Sequence, residues 1–250
     1  MQLIRYCERD GQVFNGWLLE DKVGRVDGSL FGEYRRMEAT LPLEKVRLLP
    51  PVLPGKIIGV DYYGAEDQAG PPQLFLKPVS ALAAPGEAVC LPPQSQQVEH
   101  EAELAVVLGR RGRWVTPEDA PAYILGYTIA NDITARDLLT RDGQWMRAKA
   151  FDTFCPLGPW IETEFDPVDA LISCYVNGQL RQMGSTRDLP LTVAQLVAYV
   201  TSIMTVEPGD VLLMGTLPGA DALREGDQVE VNIDGIGTLA NPVTVDKHHA

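Results

Sequence analysis

The chain has 250 residues and a formal net charge of −13 at pH 7, with 45% hydrophobic and 22% charged residues. These fractions are ordinary for a folded globular protein, and the negative charge argues against binding to nucleic acid or to an anionic membrane surface. No apolar run approaches the ~20 residues that cross a bilayer, and the first ten residues lack the long apolar core of a signal peptide. We therefore expect a cytoplasmic protein with neither a nucleic-acid nor a membrane partner.

The first 50 residues have the pattern of short strands separated by turns. Turn signals occur at Asp10-Gly11 and Asp27-Gly28, and alternating apolar and polar residues between such turns are typical of a β-meander. The predicted strands cover residues 3–6, 13–19 and 23–26. We predict a small N-terminal β domain over residues 1–50, followed by a Pro-rich connector at 48–55 whose apolar residues should pack.

The rest of the chain alternates apolar and polar residues in short runs between Gly, Pro and Asp turns, which predicts a mostly β (α+β) fold with few short helices. One helix is expected at residues 116–122, where Thr116 can cap and Pro117 suits the first helical position. A second is expected at 192–204, capped by Thr192. Its apolar residues at helical spacing are Leu196, Val200 and Ile203.

Two glutamates, Glu101 and Glu103, run directly into the apolar segment 104–108. If this segment is a strand, residues two apart share a face, so both carboxylates point the same way and His100 faces the opposite side. Two oxygen ligands on one rigid element suit a divalent cation such as Mg²⁺ or Mn²⁺. The alternative is a solvated strand edge with two exposed acids. Asp132, at the end of another apolar run, favours the metal site.

Seven blocks of sequence carry a family resemblance. They are L-F-L-K-P (74–78), E-A-E-L-A-V-V-L-G (101–109), G-Y-T-I-A-N-D-I-T-A-R-D (126–137), W-M-R-A-K-A-F-D-T-F-C-P-L-G-P-W-I (145–161), V-N-G (176–178), L-M-G-T (213–216) and G-I-G-T-L-A-N-P (235–242). In this order they resemble the fumarylacetoacetate hydrolase family, including its 2-hydroxyhepta-2,4-diene-1,7-dioate isomerases and 5-oxopent-3-ene-1,2,5-tricarboxylate decarboxylases. The resemblance implies a catalytic domain over residues 55–250 built as a mixed β-roll.

The resemblance also implies a metal site. Glu101, Glu103 and Asp132 match the family's three metal-ligating carboxylates. Three acids with water or substrate oxygens suit the octahedral shell of Mg²⁺, or of Mn²⁺, and Ca²⁺ would also fit in a crystal. Clustered acids require a cation, because uncompensated like charges raise one another's pKa.

Three further residues match pocket positions of the family. Lys149 is expected to be a catalytic proton shuttle that also binds substrate, with a pKa lowered by burial and a neighbouring cation. Arg136 and Thr216 are expected to bind substrate, Arg136 through a bidentate contact with a carboxylate. The alternatives are a surface ion pair such as Arg136–Asp137 and a turn hydroxyl at Thr216. Lys77, in L-F-L-K-P, is interpreted as a scaffold group or as a group that supports the residues of the site from behind.

The segment from Asp61 to Gly70 departs from the family's hydrolases. Those usually carry an N-Y-x-x-H-x-x-E lid whose His–Glu pair activates water, whereas this segment contains no histidine. Glu66 could replace the acid but nothing replaces the base, and Leu139 stands where many members have a substrate-contacting glutamine. Hydrolytic C–C cleavage needs a base of near-neutral pKa. Isomerisation, tautomerisation or decarboxylation needs only enolate stabilisation and a proton shuttle.

The sequence therefore predicts a divalent-metal-dependent isomerase, tautomerase or decarboxylase of a 2-oxo or 2-hydroxy-dienoic dicarboxylate, as in aromatic-compound catabolism. The alternatives are an acylpyruvate-type hydrolase that takes its base from elsewhere and a catalytically silent member that binds a small diacid. We also expect a homodimer, because family members of this size usually pair and because Trp160 and Ile161 offer an apolar surface. The alternative is a monomer with both residues in the core.

Overall fold

A computed structural model of the chain describes residues 1–62 and 72–246. The strands in these residues are β1 (Gln2–Cys7), β2 (Val13–Leu19), β3 (Lys22–Gly28), β4 (Tyr34–Pro42), β5 (Arg47–Leu49), β6 (Ile57–Asp61), β7 (Gln73–Lys77), β8 (Leu82–Ala83), β9 (Val89–Leu91), β10 (Val98–Glu99), β11 (Ala102–Leu108), β12 (Ile124–Asn131), β13 (Thr134–Ala135), β14 (Cys155–Glu162), β15 (Leu171–Val176), β16 (Gln179–Ser185), β17 (Val211–Leu213), β18 (Gln228–Ile233) and β19 (Gly237–Val245). The α-helices are α1 (Arg136–Asp142), α2 (Met146–Lys149) and α3 (Val193–Ile203). Short 3₁₀ helices cover Leu43–Lys45, Val79–Ala81, Ala120–Tyr123 and Thr186–Asp188.

Two large sheets carry most of the structure. The twelve-stranded sheet has the order β4-β3-β2-β1-β14-β12-β11-β17-β6-β7, with β5 beside β1 and β8 beside β14. The five-stranded sheet has the order β16-β15-β18-β19-β9, and β10 pairs with β13. Most pairs are antiparallel, whereas β17 with β6, β19 with β9 and β14 with β8 are parallel. The prediction of a mostly β fold with mixed strand directions and few short helices is confirmed.

The N-terminal strands form the expected meander. Strands β1 to β4 follow one another in antiparallel pairs, and β1 also pairs with β14, where Leu3 lies opposite Ile161. The meander therefore extends the twelve-stranded sheet. In the connector, Pro51, Val52 and Pro54 are buried as predicted, whereas Leu53 is 57% exposed. The division into domains at residues 1–50 and 55–250 stays a prediction.

The pairing of β1 with β14 also bears on the proposed dimer surface. Ile161 is fully buried within the chain itself, because its strand lies between β1 and β12, and Trp160 is half-buried. The expectation that Ile161 contributes an exposed apolar surface is therefore wrong. The homodimer itself stays a prediction.

Strand β11 lies near the centre of the large sheet, between β12 and β17, and all seven of its residues are buried. Leu104, Val106 and Leu108 have no exposed surface. Full burial of such a side chain contributes about 1.5–3 kcal/mol, so the apolar residues of the strand offset the cost of holding Glu103 in the interior.

The two predicted helices have different outcomes. Helix α3 is confirmed: the Thr192 hydroxyl accepts from the Gln195 N–H and the Gln195 side chain accepts from the Thr192 N–H, a capping box. Leu196 and Val200 are buried, but Ile203 is 49% exposed because it closes the last turn beyond the core. Among the described residues, no helix combines the length and apolar character needed to cross a membrane.

The helix predicted at 116–122 is wrong in type and extent. A turn at Thr116, whose hydroxyl accepts from the Asp119 N–H at 3.3 Å, leads only into the 3₁₀ helix Ala120–Tyr123. Pro121 has no N–H and therefore cannot make the α-helical bond back to Pro117.

Candidate active site

The ends of two neighbouring strands bring three acids together. Glu101 precedes β11, Glu103 lies within it, and Asp132 directly follows β12. Ala102 pairs with Asn131 in the ladder, the Asp132 N–H donates to the Glu101 carbonyl at 2.8 Å, and the Glu101 N–H donates to the Asn131 side chain at 3.0 Å. One carboxylate oxygen from each acid lies within 4.8 Å of the other two, and all three residues are buried. The structure thus groups the three acids singled out from the sequence.

Two buried lysines face these acids. Lys149, the last residue of α2, donates from Nζ to Glu101 Oε2 at 2.8 Å and to Asp132 Oδ2 at 2.5 Å. Lys77, at the end of β7, donates to Asp132 Oδ1 at 2.5 Å and to the Ile133 carbonyl at 3.0 Å. Both lysines are 1% exposed. The Lys77 side chain therefore orients a site carboxylate, which is one of the two roles expected from the sequence.

Arg136 begins helix α1 and turns its guanidinium to the same cluster. Its Nε donates to Glu99 Oε2 at 2.8 Å, and its Nη2 pairs with Glu101 Oε1. The adjacent Asp137 accepts from Ser95 Oγ at 2.5 Å. Arg136 thus pairs with acids at the cavity, and Glu99 is a partner that the sequence analysis missed.

The acids respond differently to burial. The pKa of Glu103 is raised well above its ordinary value, first by burial and then by the Asp132 charge, although the Gly215 N–H donates to Glu103 Oε2 at 2.7 Å. Burial acts on Asp132 in the same direction, but Lys149 and Lys77 outweigh it and lower the pKa of Asp132. The charge of Glu103 is therefore compensated less well than that of Asp132.

The pKa of Lys149 is raised. Burial favours the neutral amine, but the carboxylates of Asp132, Glu101 and Glu103 outweigh burial and favour the ammonium. The expectation of a lowered pKa included a neighbouring metal cation, whose charge would oppose that of the acids, and it stays a prediction for the metal-loaded site.

The donor set fits a divalent cation. Three carboxylates offer hard oxygen ligands, and the Lys149 ammonium already bridges Glu101 and Asp132 as a cation in their midst. Burial and the Asp132 charge raise the pKa of Glu103, so a positive charge beside it would favour its ionised form.

A cavity of about 540 Å³ opens beside the acids. It is lined by Val60, Asp61, Tyr62, Phe75, Glu101, Glu103, Arg136, Trp145, Lys149 and Thr216 to Ala220. Phe75 and Trp145 stack with ring centroids 5.2 Å apart, and Lys149 Nζ lies 4.5 Å from the Phe75 centroid. Five of the six residues predicted for the site line this cavity, and Asp132 lies behind them.

Thr216 and His100 are joined through one buried side chain. The Thr216 hydroxyl accepts from Gln182 Nε2 at 2.9 Å and donates to the Ala102 carbonyl at 3.1 Å. His100 Nδ1 lies 3.0 Å from Gln182 Oε1, and His100 is absent from the residues that line the cavity. Its placement away from the carboxylates agrees with the alternation expected on a strand. Gln182 lies on β16 with no local motif that marks it.

Residues 63–71, which include Glu66 and most of the segment predicted to be an altered lid, and residues 247–250 lie outside the described residues. Asp61 and Tyr62, at the start of the segment, line the cavity. Leu139, on α1, is half-buried against the core.

Comparison with known families matches both parts of the chain. Residues 61–244 match the family described as fumarylacetoacetate (FAA) hydrolase C-terminal. The chain belongs to the fumarylacetoacetate hydrolase family. Residues 1–51 match the family described as Rv2993c-like, N-terminal.

Several relatives within the fumarylacetoacetate hydrolase family have named activities. The structure of 5-carboxymethyl-2-hydroxymuconate delta-isomerase from Mycobacterium smegmatis matches with a TM-score of 0.92 and 42% identity, covering 98% of this chain and 100% of that chain. That of 2-hydroxyhepta-2,4-diene-1,7-dioate isomerase from Mycobacterium marinum matches with a TM-score of 0.92 and 38% identity, covering 99% of each chain. The human mitochondrial oxaloacetate tautomerase FAHD2B is 40% identical over 223 residues, 81% of this chain and 71% of that protein. The resemblance to the family's isomerases is confirmed.

Proposed function

We propose that this protein is a divalent-metal-dependent isomerase or tautomerase of 2-oxo or 2-hydroxy-dienoic dicarboxylates, with decarboxylation of the same substrates as a related outcome. The observation that carries the proposal is the buried Lys149 ammonium, which bridges Glu101 and Asp132 at the wall of a cavity. Similarity to two isomerases and an oxaloacetate tautomerase supports the choice of reaction.

Glu101, Glu103 and Asp132 would hold the metal, with Mg²⁺ or Mn²⁺ as the ions that suit three carboxylates. When bound, the ion supplies positive charge that polarises a 2-oxo acid and stabilises an enolate. Lys77 keeps Asp132 in place through its contact with Oδ1, and the Gly215 N–H does the same for Glu103.

The chain's own side chains would bind the diacid and move its proton. Lys149 would donate a proton from its ammonium to the 2-oxo oxygen, and the neutral amine that remains would take the proton from C3. Arg136, oriented by its contact with Glu99, would anchor a substrate carboxylate. The stacked rings of Phe75 and Trp145 would cover a planar enol or diene and exclude water from that side.

A hydrolase needs in addition a base that activates water. The chain has three histidines; His100 packs against Gln182 outside the cavity lining, and His248 and His249 lie outside the described residues. This distribution favours proton transfer over C–C hydrolysis.

Two assays on one preparation test the proposal. Ultraviolet loss of enol-oxaloacetate and cleavage of acetylpyruvate are followed with Mg²⁺, with Mn²⁺ and after treatment with a chelator. We expect metal-dependent enol loss well above the spontaneous rate and much slower cleavage. Faster cleavage would assign the protein to the acylpyruvate-type hydrolases, and inactivity in both assays would favour a silent diacid-binding protein.

We also propose that the protein forms a homodimer. Leu180 and Met183 are 47% and 61% exposed on β16, an edge strand of the five-stranded sheet, and an exposed apolar edge favours association. Light scattering at micromolar concentration should return twice the 27.4 kDa of one chain. A mass of one chain would refute the dimer.

A further inference from the structure

We propose that Gln182 is a positioning residue that makes Thr216 a hydrogen-bond acceptor toward the cavity, so that the substrate group facing Thr216 must carry an O–H, as an enol does. The proposal rests on the proposed function and specifies the tautomer that the site recognises. Gln182 is 1% exposed and lies on β16 of the five-stranded sheet. Its side chain contacts Thr216 and Leu217, which line the cavity.

The contacts of Gln182 fix which way its amide points. Its Nε2 lies 2.6 Å from the Leu217 carbonyl, which can only accept a hydrogen bond. Its Oε1 lies 3.1 Å from the Ala102 backbone nitrogen, which can only donate. The reversed amide would place donor against donor and acceptor against acceptor, so only one orientation satisfies both backbone groups.

This orientation determines the proton position on His100. Since Gln182 Oε1 is an acceptor, His100 Nδ1, 3.0 Å away, must carry the proton of the neutral ring. Nε2 of His100 then carries the lone pair. The described residues offer Nε2 no hydrogen-bond partner. The tautomer of His100 therefore reports on the orientation of the Gln182 amide.

The same orientation uses up the donor of Thr216. Gln182 Nε2 donates to Thr216 Oγ1 at 2.9 Å, and the Thr216 hydroxyl donates its own proton to the Ala102 carbonyl at 3.1 Å. A hydroxyl has one proton and two lone pairs, so one lone pair remains. Thr216 lines the cavity and can offer a ligand an acceptor, not a donor.

An acceptor at this position distinguishes the two tautomers of a 2-oxo acid. A carboxylate or keto oxygen would place lone pairs against the lone pair of Thr216, whereas an enol hydroxyl would donate to it. Enolisation removes a proton from C3, shifts its electron pair into the C2–C3 bond, and places a proton on the 2-oxo oxygen. The new O–H is the donor that Thr216 requires, and a 2-hydroxy-dienoate carries the same group.

Binding of paired ligands tests the acceptor role without relying on turnover. The Mg²⁺-loaded protein is titrated calorimetrically with 2-hydroxysuccinate and 2-fluorosuccinate, which share a carbon skeleton and differ in the O–H donor. The readout is the affinity for 2-hydroxysuccinate divided by the affinity for 2-fluorosuccinate. This ratio is compared between variants, because any preference of the metal for a hydroxyl oxygen is the same in all of them. Thr216→Val should reduce this ratio by about tenfold, equivalent to ~1.4 kcal/mol, and Thr216→Ser should retain it.

Gln182→Met tests the positioning role, because it keeps the length of the side chain but removes the amide that donates to Thr216. Without that donor the Thr216 hydroxyl can turn its proton toward the cavity, where a fluorine can accept it, so we expect the ratio to fall as it does in Thr216→Val. An unchanged ratio in Thr216→Val would overturn the acceptor assignment. An unchanged ratio in Gln182→Met alone would overturn the role of Gln182.

The orientation itself is tested by ¹⁵N NMR of the imidazole, with the His100 signals assigned by their loss in His100→Gln. We expect a protonated Nδ1 and a bare Nε2, and a protonated Nε2 in the neutral ring would overturn the proposal even if both ligands bind. Failure of both diacids to bind would instead refute the proposed substrate class, and the enol preference with it.

Discussion

Lys149 Nζ lies 2.5 Å from Asp132 Oδ2, and both side chains are almost fully buried. Removing two charges from water costs several kcal/mol per ion, which their attraction repays only with good geometry and further hydrogen bonds. Here Lys149 also pairs with Glu101 and Asp132 also pairs with Lys77. A buried charge network that opens onto a cavity is typical of a functional site.

Glu103→Gln should weaken binding of Mg²⁺ and Mn²⁺. The substitution keeps the shape of the side chain but removes one of three anionic ligands. Loss of a group that only supports a metal ligand already lowers metal affinity by about tenfold, so loss of a ligand should lower it by at least that much. Isothermal titration measures the change. Glu99→Gln, which removes an acid that pairs with Arg136 outside the triad, is the control and should bind metal nearly as well as the parent. Equal affinity in Glu103→Gln would exclude Glu103 as a ligand.

The stability of the metal-free protein should depend on pH through Glu103. Its pKa is raised in the folded state, so the unfolded chain releases this proton more readily and the wild type loses stability as pH rises above the unfolded value of ~4.3. The amide introduced by Glu103→Gln does not titrate. In chelator, the free energy of unfolding of Glu103→Gln minus that of the wild type should therefore increase from pH 5 to pH 8.

Added Mg²⁺ provides the control for this pH effect, because a cation on the triad favours the ionised Glu103. The increase with pH should then shrink or reverse. If the difference in the free energy of unfolding between Glu103→Gln and the wild type does not change with pH in chelator, the pKa of Glu103 is not raised by folding.

Lys149 and Arg136 should affect different kinetic constants. Lys149→Met should lower kcat by about 10²-fold, the lower end for a proton-transfer group, with little change in KM. Arg136→Gln should mainly raise KM, because a carboxylate anchor acts on ground and transition states alike. Lys45→Met, at an exposed position, is the control. Full activity of Lys149→Met, with folding checked by thermal unfolding, would rule out the proton-shuttle role.

Gly59→Ala should disturb the wall behind Lys149. A Cβ at Gly59 would lie 2.1 Å from Phe75 Cζ, so the ring that stacks on Trp145 and faces Lys149 must move. Overpacking of this kind costs about 1–3 kcal/mol, measured by urea denaturation, and should also reduce kcat.

Gly32→Ala is the matched control for Gly59→Ala, because its nearest neighbour, Ser29 Cβ, lies 3.8 Å away. It should change the free energy of unfolding little. Equal free energies of unfolding in the two alanine variants would show that the Phe75 ring can move aside without destabilising the protein.

The parts of the structure that local patterns could predict are those whose signals lie within a few residues. Glu101 and Glu103 precede a buried apolar run, which indicated that the two carboxylates share a face, and Thr192 marked the start of α3. The approach of Lys77 to Asp132 joins residues 55 positions apart, and it depends on β7 pairing with β6 at the edge of the sheet. No pattern around Lys77 reports that pairing.

The role of Gln182 could not be predicted from the sequence either, because it depends on contacts with residues far away in the chain. The exposed neighbours Arg181 and Met183 make its segment read as a solvated strand, and its burial arises because β16 packs its alternate face toward the cavity loop. The direction of the pKa shift of Lys149 depends on which charges lie within a few ångströms, and those distances come only from the assembled fold.

Exchange of the C3 hydrogens of oxaloacetate with deuterated solvent tests the central claim most directly, because enolisation requires loss of a C3 proton whichever substrate the protein uses in the cell. Proton NMR gives the initial rate with wild type, Glu103→Gln and Lys149→Met, each with Mg²⁺ and with chelator, against a protein-free blank. The account predicts exchange well above the blank in the Mg²⁺-loaded wild type. The rate should be much lower in both variants and in the wild type with chelator. Exchange that is no faster than the blank in the Mg²⁺-loaded wild type, or equally fast in Lys149→Met, would contradict it.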